Sequence, residues 1–376
     1  MSGKSYNYKY IFLVTGYNCD KWIDKCVRSI LKQRRKDWHA VLCDDASTDS
    51  TFSVIKKYEQ DARFTIFRNS PNRGACYMRF KAIETLSENN CINDDDVILL
   101  IGADDWLSGP DVVELVDRCY KKGAQLTYGN WKDLITGRVN THRHFPKNVL
   151  KYKTFRKYRW VSTAINTFTY KVFNKIDPNY YFKDAKGNWI NNCTDLAVMF
   201  TALEIVDPEK IHGIPEVLYI YNSKYEHNTK FRFGKPHKEK LENFVRNLVP
   251  YHLKDKPASE YAKWKKIAEE HSDSHKKDKA KKLKSLKTKV SKNIKVTKTI
   301  KVTKTNKINN KNDNKIKNNK KKDNKTNKEN DNKTNKEKKI KKSSTLKSDK
   351  TKDENQTKFK VYKTLNGKVV RIPIKS

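Results

Sequence analysis

From Tyr8 to Tyr128 the chain alternates short apolar runs with amphipathic segments, and this alternation restricts the possible folds more than any other feature. Tyr10 to Thr15, Trp38 to Cys43, Phe64 to Phe67 and Val97 to Ile101 are short, rich in β-branched and aromatic residues and bounded by polar ones, as buried parallel strands are. Between them, Lys21 to Gln33 repeats Trp22, Ile23, Cys26, Val27, Ile30 and Leu31 at helical spacing. Helices are likewise expected over Asp49 to Tyr58, with Ser47 and Asp49 as caps, over Gly74 to Ser87 and over Pro110 to Lys121, and Leu126 to Tyr128 adds a fifth strand. Such alternation means right-handed strand–helix–strand crossovers and a mainly parallel central sheet in an α/β fold. Residues 129–235 are less regular, with an apolar, Thr-rich stretch at Trp160 to Val172, a helix at Asp195 to Ile205 and a strand at Glu216 to Tyr221.

Two acidic clusters directly follow strands: Asp44-Asp45-Ala46-Ser47-Thr48-Asp49 and Ala103-Asp104-Asp105-Trp106. Ligands of open α/β sheets bind outside the carboxyl ends of the strands, so the two clusters are expected to converge on one crevice. Converging carboxylates repel unless a cation or proton lies between them. Their hard oxygens suit Mn²⁺ or Mg²⁺ carrying a phosphorylated ligand.

Composition divides the chain. Residues 1–250 hold 40 Lys and Arg against 29 Asp and Glu, and residues 251–376 hold 42 against 14. Beyond about Lys276 there is too little apolar surface to offset the entropy of ordering, so residues 276–358 read as a disordered basic tail. Its charge implies non-specific, salt-sensitive contact with polyanions, while its lack of aromatics argues against base stacking. Phe359 to Ile374 alternates around Asn366-Gly367, a hairpin signal. The seven cysteines have no metal-ligand spacing and read as core residues of a reducing compartment. The run Ile11 to Val14 is too short for a signal sequence, and no stretch approaches the ~20 apolar residues of a transmembrane helix. The expectation is a soluble cytoplasmic protein, in host cytoplasm or virion if the source is viral.

Val14-Thr15-Gly16-Tyr17-Asn18, Asp44-Asp45-Ala46-Ser47-Thr48-Asp49, Asn72-Arg73-Gly74 with Arg79, Ala103-Asp104-Asp105-Trp106-Leu107 and Thr194-Asp195 together resemble the inverting family 2 glycosyltransferases of the GT-A fold. The resemblance spans roughly residues 8–230 with the motifs in the family order. It implies a GT-A nucleotide-sugar-binding domain over 1–235, followed by a helical extension over 236–275, the tail and a short hairpin over 359–376. It also implies a UDP-sugar donor, a divalent metal on the diphosphate and a hydroxyl of a glycan or protein as acceptor.

Carried onto this chain, the resemblance assigns Thr15 and Tyr17 to the nucleobase pocket and Asp45 to uracil N3, a role suited to an acceptor-only carboxylate. Asp44 reads equally as a structural cap. Arg73 and Arg79, at the start of a helix, would reach the diphosphate. Asp104 and Asp105 would hold metal and ribose, with His227 as a further metal ligand; where the family has a first aspartate of Asp-x-Asp-Asp, this chain has Gly102. Asp195 would be the catalytic base, with Asp184 in reserve. The competing reading, fed by Gly102 and the basic tail, is a degenerate GT-A domain that tethers or binds polyanions.

Overall fold

The structure is a computed structural model that describes residues 9–140, 144–224, 229–270, 359–361 and 371–372. His227, the basic tail and the Asn366-Gly367 turn lie outside the described residues. In chain order the first half comprises β1 (Tyr10–Gly16), α1 (Ile23–Leu31), β2 (Trp38–Asp44), α2 (Thr51–Lys56), β3 (Phe64–Arg68), α3 (Ala75–Glu88), β4 (Val97–Gly102), β5 (Trp106–Leu107) and α4 (Val112–Tyr120). There follow β6 (Leu126–Asp133), β7 (Val139–Asn140), α5 (Lys147–Lys151), β8 (Asn166–Thr169), α6 (Tyr170–Phe173), α7 (Pro178–Tyr181), α8 (Thr194–Ile205), β9 (Ile211–Tyr221) and α9 (Thr229–Asn247). Residues 258–270 are helical, and two short strands, β10 (Phe359–Val361) and β11 (Arg371–Ile372), lie at the far end of the sequence.

Among the described residues the sheet runs β11-β10-β3-β2-β1-β4-β8-β6-β9-β5, with β7 paired to β6. The block β3-β2-β1-β4 is parallel, as the strand–helix alternation requires. Alternate residues of these strands feed two different cores, which is why each run reads as continuously apolar. Ile11, Leu13, Val41, Ile98 and Leu100 pack toward α3 and α8, while Phe12, Val14, Leu42, Leu99 and Ile101 pack toward α1 and α4. Helix α1 buries Ile23, Cys26, Val27 and Ile30 along one stripe, and α8 is apolar all round and buried on every side from Leu196 to Glu204.

Beyond β4 the sheet becomes mixed. The expected fifth strand is the start of β6, but it does not adjoin β4: β8 lies between them, antiparallel to both. Apolar periodicity marks a strand without marking its neighbour, so the Thr-rich stretch at 160–172 hid this insertion. The strand expected at 216–221 begins earlier, at Ile211, and runs parallel to β6 across a bulge. Of the two expected caps, Asp49 accepts from Thr51 N, the first residue of α2, at 2.9 Å and from Asp20 N at 3.2 Å, whereas Ser47 acts otherwise, its Oγ accepting from Asn18 N at 2.8 Å. The seven cysteines form no disulfide.

A buried ion pair fixes α8. Arg156, fully buried, meets Glu204 through Nε at 2.7 Å and a second nitrogen at 3.0 Å, and also donates to Thr201 Oγ1 at 3.1 Å and to the Val245 carbonyl at 2.7 Å. Glu204 accepts in addition from Tyr251 N at 2.9 Å. Removing one partner strands the other charge without water. Arg156→Ala or Glu204→Ala is expected to cost about 3–5 kcal/mol in denaturant unfolding, whereas replacing both by apolar residues of similar volume costs far less.

Candidate active site

The strand register sets the site. Thr15 lies level with Cys43 on β2 and with Gly102 on β4, and Gly16 lies level with Asp44, so the ends of three parallel strands form one rim. Above it opens a cleft of about 1150 Å³. Of the residues anticipated from sequence, Thr15, Tyr17, Asp45, Arg73, Arg79, Asp104, Asp105 and Asp195 all line it. Gly16 allows the close approach of the loop after β4: a Cβ there would sit 2.5 Å from Ala103 Cβ and 2.6 Å from Cys19 Sγ.

On the β1–β2 side the loops are stitched together. Asn18 Oδ1 accepts from Thr48 N at 2.8 Å, and Thr51 Oγ1 accepts from Cys19 N at 2.7 Å. Asp44 is buried, accepts from Ser47 N at 3.2 Å and pairs with Arg68 at 3.1 Å, which makes it a structural residue of this turn. Asp45, only 5% exposed, organises the next loop: Oδ1 accepts from Asn69 Nδ2 at 2.7 Å and Arg73 N at 2.9 Å, and Oδ2 from Gly74 N at 2.7 Å. A carboxylate offers about four lone-pair sites, so Asp45 retains capacity for one more donor. Gly74, at φ 87, supplies the turn into α3. The Nε atoms of Arg73 and Arg79 are buried and find no acceptor among the described residues.

Asp104 and Asp105 differ. Asp105 is buried, and its oxygens accept from Tyr219 Oη at 2.7 Å and Asn222 N at 2.6 Å. Burial, and then the Asp104 charge, push its carboxyl well above the ordinary carboxylate range. Asp104 takes no donor from another side chain among the described residues, and burial pushes it up to about 6. Neither residue caps α4. Two adjacent carboxyls, one buried and one half-buried, favour a cation between them, and the donor set fits a divalent ion that takes one or two carboxylates and fills its other positions with water and phosphate oxygens. No group of three or more His, Cys, Asp and Glu residues arranged as a metal cage occurs among the described residues.

Tyr219 was not anticipated from sequence. Its hydroxyl accepts from Gly102 N at 3.0 Å while donating to Asp105, and a Cβ on Gly102 would approach it to 3.4 Å and Asp104 Oδ1 to 2.8 Å. A hydroxyl from β9 therefore occupies the space beside Gly102. Leu218 and Tyr219 are both buried, so alternation along β9 gives no signal for Tyr219, and its partner strand lies far away in sequence.

Across the cleft, α8 begins at Thr194, whose Oγ1 accepts from Arg79 at 3.0 Å. Asp195 in the first turn is pushed above the ordinary range by burial, with the Arg79 charge opposing that shift. Asp184 is engaged elsewhere: it is half-buried and closes its own turn by accepting from Lys186 N and Asn188 N, both at 2.9 Å.

Residues 12–177 match the family described as Glycosyl transferase family 2. Chondroitin synthase from Pasteurella multocida (strain Pm70) is 35% identical over 114 residues, 30% of this chain and 11% of that protein. UDP-Glc:alpha-D-GlcNAc-diphosphoundecaprenol beta-1,3-glucosyltransferase WfgD from Escherichia coli is 22% identical over 198 residues, 50% of this chain and 74% of that one. Among solved structures, S. aureus TarS 1-349 in complex with UDP-GlcNAc is 16% identical, covers 70% of this chain and 71% of that chain, and has a TM-score of 0.49. Apart from the glucosyltransferase, the chain spans between 11% and 29% of the length of these curated relatives. No helix among the described residues is long and apolar enough to cross a membrane. The parallel strand block, the cleft at the strand ends and the match over residues 12–177 make the chain similar to glycosyl transferase family 2, with a GT-A-like α/β fold.

Proposed function

We propose that the chain is a metal-dependent glycosyltransferase that moves a sugar from a UDP-sugar to an acceptor hydroxyl with inversion. The observation that carries this reading is the single cleft in which Asp45, the two arginines, Asp104 and Asp105 lie across from Asp195. The remaining acceptor capacity of Asp45 suits the imide N–H of uracil, and Thr15 and Tyr17 flank that position. The E. coli relative named for a UDP-Glc donor points to the same nucleotide. Arg73 and Arg79 bring two guanidinium charges to the cleft wall for a diphosphate, aided by the N-terminus of α3.

Asp104 would hold a Mn²⁺ or Mg²⁺ ion directly, with Asp105 beside it oriented by Tyr219 and Asn222. Bound there, the ion supplies Lewis-acid stabilisation of charge on the departing diphosphate. Asp195 takes the proton of the acceptor hydroxyl as that oxygen attacks the anomeric carbon from the opposite face. Burial raises the basicity of Asp195, and the Arg79 charge opposes that rise. The basic tail would add salt-sensitive contact with polyanions.

In a thermal-shift panel with Mn²⁺, UDP-sugars are expected to stabilise the protein and GDP-sugars are not; equal shifts, or none, would rule out the donor assignment. Loss of several kcal/mol of charge stabilisation predicts that the Asp104→Ala, Asp105→Ala double variant slows sugar transfer roughly a hundredfold or more. Normal turnover in that variant removes the metal from the reaction. Arg79→Met takes away the charge that lowers the Asp195 pKa, so the acid limb of the pH–rate profile should move to higher pH. An acid limb that stays in place would show that Asp195 is not the base being titrated.

A further inference from the structure

Besides the residues assigned to the donor, the cleft is lined by residues of a different character. From Trp131 onward its walls carry three of the chain's seven tryptophans, Trp131, Trp160 and Trp189, and five asparagines. The charged residues of this stretch are Asp195, Lys238 and Glu242. Each indole is half-buried and braced by another ring: Trp189 by Tyr77 at 5.0 Å and Phe80 at 5.6 Å, Trp160 by Phe200 at 5.2 Å and Trp131 by Tyr221 at 5.2 Å. Bracing removes side-chain entropy in advance, so a ligand that covers these rings gains apolar contact at little ordering cost.

Asn192 adds a directional demand. It is 3% exposed and lines the cleft, and its Oδ1 accepts from Cys193 N at 2.8 Å, which fixes the plane of the amide. Nδ2 is buried with no acceptor among the described residues. An unmade hydrogen bond of this kind costs about 1–3 kcal/mol in the free protein, and a ligand oxygen would recover it. The amide stands three residues before Asp195, at the entrance to α8.

We propose that the acceptor is a neutral glycan that lies along Trp160 and Trp189, with one of its oxygens accepting from Asn192 Nδ2 beside Asp195. Hydroxyl groups both donate and accept, as asparagine amides do, and the C–H faces of pyranose rings match indole surfaces. With Arg73 and Arg79 engaged by the donor diphosphate, the lining from Trp131 onward sets Lys238 against Asp195 and Glu242, which gives no net attraction for an acidic chain. The inference rests on the transferase reading, and Asn192 is a positioning residue within it.

The test uses the full chain with Mn²⁺ and UDP, probed on an array of neutral and acidic oligosaccharides together with Ser/Thr-containing peptides, and UDP affinity is measured separately. Neutral oligosaccharides are expected to bind. Trp189→Ala, Trp160→Leu and Asn192→Asp, which keeps the bond to Cys193 N, should each weaken that binding at least tenfold in protein whose melting transition is retained. If Asn192→Asp fails to fold, the two tryptophan variants carry the test. Binding only to acidic glycans or peptides, no binding to any of them while UDP still binds, or neutral-glycan binding that all folded variants retain would overturn the inference. Failure to bind UDP as well would instead bring down the transferase reading itself.

Discussion

The register of β3, β2, β1 and β4 is the constraint on which the rest of the molecule depends. Because the side-chain period of a strand is two, a slip of one residue would exchange the two cores and turn every strand-end residue to the other face. The pairing of Thr15 with Cys43 and Gly102 levels the strand ends, and the loops leaving them have no choice but to meet. Burial on both faces makes that register costly to change. The site is thus a by-product of core packing, and its acidic residues are held in place by apolar neighbours they never touch chemically.

The acidic residues, though all gathered at one rim, are held in opposite ways. Asp45 takes three donors from a single loop, which fix its orientation and leave one lone-pair site open. Asp104 is left nearly without protein donors, and its charge is available to a ligand. Asp105 stands between these extremes because Tyr219 and Asn222 both donate to it. The donor side therefore separates recognition, which needs fixed geometry, from charge compensation, which needs an unsatisfied group.

The parallel half was legible because strand and helix alternate there at their own periods, and the strand-end carboxylates could be located from that alone. The antiparallel half was not. Asn166–Thr169 carries too few residues to show a period, and its place between β4 and β6 is decided by long-range pairing. Tyr219 and Asn222 escaped notice for the same reason: their partners lie more than a hundred residues away. Asp184 was a fair candidate by composition and lost its claim to local turn chemistry. Asn192 had no signal at all, since an orphaned amide is a property of the surrounding packing.

The stitched loops after β1 and β2 have a consequence for how the two ends of the cleft trade affinity against adaptability. Asn18, Cys19 and Asp20 are tied to Ser47, Thr48, Asp49 and Thr51, so the ordering entropy of that wall is settled when the chain folds. A ligand arriving there meets a finished surface. At the other end, the unpaired Asn192 amide means that the folded state itself carries an unmade bond until something occupies the cleft. One end of the cleft is a template that folding completes, and the other is a deficit that only a ligand can close.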